Sequence, residues 1–234
     1  MLPAVNSEST AASQSASIHA LELAHALAFR NGLGYSLYAD SHAAGNVTAE
    51  DVRDLHTHAV SNPNNVAVLG TGISTESLAK LFETAFSSHK ASTATPASAT
   101  SYHGSTTCVV STHGSQAVFI GFGSITPTSV PALHALATHL NPARALKWAG
   151  SAAPVASAIS AGINAHSVGL LYSDVTLIGV VLEGKDSAAL KEGAKAVVGT
   201  FKDAAAGKVG KEELMHKVAR AQFQLERESK CARG

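Results

Sequence analysis

The run from Val168 to Leu182, VGLLYSDVTLIGVVL, constrains the fold more than any other stretch. It is the longest apolar run in the chain, yet Ser173 and Asp174 interrupt it and it falls short of the roughly 20 residues that cross a bilayer. No transmembrane helix is expected. The wider segment GLLYSDVTLIGVVLEG (169–184) reads instead as two β segments meeting near Tyr172-Ser173-Asp174. Asp186-Ser187 then caps a long helix reaching about residue 205.

A second β region precedes it. TTCVVST (106–112), a turn at His113-Gly114-Ser115 and QAVFIGFGS (116–124) read as a hairpin or two neighbouring strands. Pro127 and Ser129 open a helix with Leu133, Leu136 and Leu140 at helical spacing. A loop with a helical turn (141–154) and a small-residue helix (155–161) lead into the strand pair. A last amphipathic helix, about Lys211 to Ser229, is expected to turn Leu214, Val218, Ala221 and Leu225 inward. The order β-β-α-(α)-β-β-α-α is that of an antiparallel-rich α+β layer.

Upstream, IHALELAHALAFR (18–30) is an amphipathic helix with Ile18, Leu21, Ala24 and Ala28 on one stripe, ended by Asn31-Gly32. Thr48 caps a helix in TAEDVRDLHTHAV whose first turn holds Glu50 and Asp51, with Val52, Leu55 and Ala59 expected to be buried. NVAVLGTG (65–72) reads as a short strand. Ser74 then caps a helix carrying Leu78, Leu81, Phe82 and Ala85. Residues 1–17 read as a disordered tail, and the Ser/Ala/Thr stretch 87–101 as a linker dividing 18–86 from 102–234.

Several function classes fall away. Formal net charge is zero and no basic stripe exists, so nucleic-acid binding is not expected. HALELAH (19–25) looks like a zinc motif, but helical H-E-x-x-H and H-x-x-E-H motifs keep their ligands on one face. His19 and His25 are six residues apart, about 120° around the helix and about 9 Å along it, and Leu23 stands where the inverted motif needs histidine. The twelve histidines are otherwise scattered without a second ligand at metal spacing. Gly70-Thr71-Gly72-Ile73-Ser74 lacks the third glycine of a dinucleotide loop. Cys108 and Cys231 form no CxxC, so a disulfide framework is not expected. Cys108 is read as a small buried hydrophobe, and Trp148 as a core tryptophan with an exposed interface anchor as the alternative.

Three passages carry a family resemblance. They are AFRNGLGYSLYAD (28–40) with the Thr48 helix and NNVAVLGTGIS, YHGSTTCVVSTHGSQAVFIGFGS (102–124), and ALKWAGSAAPVASAIS with AHSVGLLYSDVTLIGVVLEG (145–184). In this order they resemble the pitrilysin-like, processing-peptidase metallopeptidase superfamily, in its non-peptidase core-protein branch. The resemblance implies a two-half architecture with helices on one face of an antiparallel-rich sheet. The chain would then hold the C-terminal part of the first half (18–86) and a truncated second half (102–234), and so be incomplete.

It also implies no catalytic, cofactor-binding or metal-binding residues, because the superfamily's H-x-x-E-H motif belongs to an early region that this chain does not contain. HALELAH becomes scaffold. The expected role is a structural and assembly subunit of respiratory complex III, ubiquinol–cytochrome c reductase. It would sit on the matrix side of the mitochondrial inner membrane, peripheral to the bilayer, beside a homologous core protein 1 and the complex's other subunits. The alternative is a subunit of a zinc processing peptidase, whose long Gly-rich substrate loop corresponds here to LNPARALKWAGSAAPV, with a single glycine.

Overall fold

A computed structural model of the 234-residue chain describes residues 2–40, 45–57, 66–87, 99–110, 114–125, 130–141 and 154–231. Trp148, His113, Ala59, the Pro127-to-Ser129 helix start and most of the predicted linker lie outside the described residues.

The two β segments at 169–184 form the centre of the structure. Strands β1 (Gln116–Ser124), β2 (Asn164–Leu171) and β3 (Thr176–Gly184) make an antiparallel sheet in the order β1-β3-β2. Central β3 is buried along almost its whole length, which is why it reads as a continuous apolar run instead of an alternating one. Val180 and Leu182 point to one face, against Leu140, Val155, Leu190 and Val197. These come from helices α5 (Val130–Leu140), α6 (Pro154–Ala158) and α7 (Ser187–Ala205). Removing each such side chain from water contributes roughly 1.5–3 kcal/mol.

The opposite face is also covered. Helix α2 (Ala16–Phe29) places Ala28 and Phe29 against Val175 and Leu177, joined by Tyr102 and Phe119. The expected one-sided layer is therefore corrected: helices lie on both faces, and α2 shares a core with the segment assigned to the second half. Gly121 and Gly179 are cross-strand partners on this second face. A Cβ at either would come within 2.6 and 2.5 Å of the Phe119 ring, so the two glycines make the bed on which that ring lies.

Some helix signals hold with their caps. Ser15 caps α2, Thr48 and Asp51 form a reciprocal capping box at the start of α3 (Ala49–Leu55), Ser74 caps α4 (Thr75–Phe86), and Asp186 caps α7. Helix α2 stops one residue earlier than Asn31-Gly32 predicts, with Arg30 itself at φ +59°. Residues Leu2–Ser13, expected to be a tail, form helix α1, which packs Ala12 into its junction with α2.

Other expectations fail for one reason: the partner surface is missing among the described residues. Residues 66–72 and 106–110 form no strand, because neither finds a neighbour for its backbone ladder. Leu69 is 97% exposed and Val110 88%, and Cys108 is exposed, not buried. Val52, Leu55 and Leu81, expected inside, also face solvent. In the last helix, α8 (Lys211–Cys231), Ala221 is buried but Leu214 and Val218 remain half-exposed, while Lys217 points inward.

Candidate functional site

Three segments that the sequence analysis treated separately converge on α2. His25 sits on its inner face, 9% exposed. Its Nδ1 lies 2.8 Å from the Leu21 carbonyl, which can only accept, so Nδ1 carries the proton and donates. In the neutral ring Nε2 then accepts from the Tyr172 hydroxyl at 2.7 Å. The Tyr172 ring meets His25 and Phe29 edge-on, with centroids 6.0 and 6.1 Å apart. Burial pushes the Tyr172 phenol above its ordinary pKa, which keeps the donor protonated.

The same turn is held from the other side. The Asp174 carboxylate accepts from the Thr100 backbone N–H at 2.9 Å, and these hydrogen bonds hold its carboxyl below the ordinary range. The His103 N–H donates to the Ala28 carbonyl at 2.7 Å, fixing the 99–103 segment on the end of α2. Thus Tyr172-Ser173-Asp174 is the clasp joining α2, the Tyr102 segment and the β2–β3 pair.

Both His25 nitrogens are engaged, His19 is exposed, and Glu22 accepts a short hydrogen bond from the Ser36 hydroxyl. No group of three His, Cys, Asp or Glu able to ligate an ion occurs among the described residues. A cleft of about 900 Å³ runs between α2, residues 102–110 and β1, with Leu23, Leu27, Val118 and Phe119 in its wall. His19, His103 and Cys108 lie along it but form no such ligating group.

A second polar cluster escaped the sequence analysis. His139 on α5 and Lys217 on α8 are buried together, with Glu213 Oε1 3.5 Å from His139 Nδ1. Burial lowers the pKa of both, against the opposing pull of the Glu213 carboxylate. The signal was present: His139 lies on the Leu136–Leu140 stripe, and Lys217 on the Leu214–Val218–Ala221 stripe.

No family model matches the chain. "Cytochrome b-c1 complex subunit 2, mitochondrial" of Cryptococcus neoformans var. grubii is 37% identical over 233 residues, covering 96% of this chain and 52% of the relative. The proteins of the same name from Yarrowia lipolytica and Neurospora crassa are each 32% identical, covering 87% and 88% of this chain and 48% and 46% of the relatives. The chain is a homologue of cytochrome b-c1 complex subunit 2. It spans about half the length of the curated subunit 2 relatives it matches.

The fold agrees. A chain in the structure "Complex III2 from Candida albicans, Inz-5 bound" superposes with a TM-score of 0.78 at 14% identity, covering 97% of this chain and 56% of that one. In this subunit 2 homologue the α2–Tyr172 clasp lies inside the matched region, and its side chains tie elements together.

Proposed function

We propose that this chain serves as a non-catalytic structural subunit of mitochondrial complex III, in the role of core protein 2. The observation that carries the reading is the match of nearly the whole chain to three proteins named as subunit 2 of that complex. It fits that His25, the one buried histidine of HALELAH, is spent on an internal tie. On this reading the fold is part of a pitrilysin-like, two-half architecture whose peptidase chemistry is absent. Its partners are a homologous core protein 1 and other complex III subunits, at the matrix side of the inner membrane. Among the described residues no helix is long and apolar enough to cross a membrane.

Epitope-tagged protein expressed in a fungal host should co-migrate with complex III on native gels and be released from membranes together with it. Migration apart from the complex, with complex III assembled normally in its absence, overturns the proposal.

A further inference from the structure

Helix α8 packs principally against one neighbour, α5. Where the two meet, the structure buries ionisable groups instead of a continuous apolar seam: His139 is 5% and Lys217 4% exposed. The Glu213 carboxylate acts on both. It lies 3.5 Å from His139 Nδ1, too far for a good hydrogen bond, and is itself partly exposed. The His139 Nδ1 atom is sealed from water with no hydrogen-bond partner among the described residues. Beside the seam is an apolar cleft of about 610 Å³ between α5, the end of α7 and α8, where Leu214 and Val218 lie half-open. Leu214 and Val218 therefore give the α8 contact only part of their apolar surface.

We infer that the α5–α8 contact is an acid-sensitive joint, in which protonation of His139 beside the Lys217 ammonium releases α8 while the sheet stays folded. The groups facing His139 are Glu213 and Lys217 on α8, and Arg220 acts on Lys217 in turn. Among the described residues, the other elements packed on α5 add no charge there. α6 has the sequence PVASA, and His166 and Glu183 lie in register on the sheet face turned toward α2. On α5 itself, His134 borders the cleft. Protonating His139 thus adds a buried cation beside the Lys217 ammonium, and desolvation opposes it.

The direction follows from linkage. A histidine whose folded pKa is below its unfolded value contributes stability that is complete above that unfolded value, 6.5, and is lost as pH falls toward the folded pKa.

Hydrogen exchange of the full chain, followed from pH 7.5 to 5 and corrected for intrinsic rates, tests this. Amides of α8 should exchange up to roughly tenfold faster for each pH unit below 6.5 until the folded pKa of His139 is reached, with β3 amides unchanged. His139→Gln should flatten the α8 response, and Lys217→Met should weaken it. If either variant fails to fold, the NMR titration of the His139 ring in the unmodified protein replaces it: the ring should titrate below 6.5, and α8 loosening should begin near 6.5 and level off as the ring titrates. Slower α8 exchange in acid would mean that a His139–Glu213 ion pair tightens the joint, and would overturn the inference. So would α8 loosening that persists unchanged in His139→Gln or continues to grow below the ring's titration.

Discussion

The His25 Nε2 and the Tyr172 hydroxyl, 147 residues apart in sequence, share a 2.7 Å hydrogen bond that closes α2 onto the β2–β3 turn. Because the other ring nitrogen is committed to the Leu21 carbonyl, the bond fixes the imidazole's tautomer as well as its place. Tyr172→Phe keeps the ring contacts but leaves Nε2 without its donor, and should destabilise the fold by about 1–3 kcal/mol. Urea unfolding of the two proteins measures it. A loss below a few tenths of a kcal/mol would mean the ring packing alone holds the clasp. The raised phenol pKa gives the pH window: the bond's contribution is complete below the ordinary tyrosine value of 10.0 and lost as pH rises through the folded value.

Asp174 on the same turn predicts the opposite acid–base behaviour. Its folded pKa is depressed by the Thr100 hydrogen bonds, so its contribution is present above the ordinary carboxylate value of 3.8 and is lost as pH falls through the folded value. Asp174→Asn should therefore be less stable than the parent at neutral pH and converge with it in strong acid. Denaturation midpoints measured from pH 7 to pH 2.5 check this; a constant difference across the range would rule out the carboxylate as the cause.

How legible the structure is from sequence depends on whether an element's partner lies within the chain. The β2–β3 pair and α7 were readable because the YSD interruption and the Asp186 cap act locally, and β3 finds β1, β2 and two helix layers inside the 234 residues. The β-branched runs at 66–70 and 106–110 have the composition of strands but no ladder partner, so periodicity alone misplaced them. The clasp was half legible. YSD stood out as a turn, but nothing local to HALELAH tells that His25 meets a tyrosine 147 residues away. The Lys217 position was readable only by admitting a charged residue into an apolar stripe.

The glycine bed under Phe119 gives a steric prediction. A methyl at Gly179 would lie 2.5 Å from the ring and 2.7 Å from the Ile120 carbonyl oxygen, too close for either to remain in place. Gly179→Ala should cost about 1–3 kcal/mol, the usual penalty for overfilling a packed site. Because part of the clash is with a movable ring, combining it with Phe119→Leu should recover some of the loss. Thermal or urea unfolding of the single and double variants decides it, and strictly additive losses would show that the backbone contact dominates.

HALELAH supplies the last prediction, which separates scaffold from metal site by making its two histidines unequal. His19 is exposed and no hydrogen bond to another described residue fixes its ring, whereas His25 is buried with both nitrogens occupied. A ligand pair would respond alike to substitution, since removing either member empties the site. As scaffold, His19→Ala should change stability by less than about 0.5 kcal/mol, in the range of ordinary surface changes. His25→Ala should cost about 2–4 kcal/mol, because it opens a cavity against Phe29 and leaves the Tyr172 hydroxyl without its acceptor. Neither should alter zinc retained after equilibrium dialysis. Stoichiometric zinc in the parent that both substitutions abolish would return this helix to metal chemistry, since a ligand at His25 must first break its bonds to Leu21 or Tyr172.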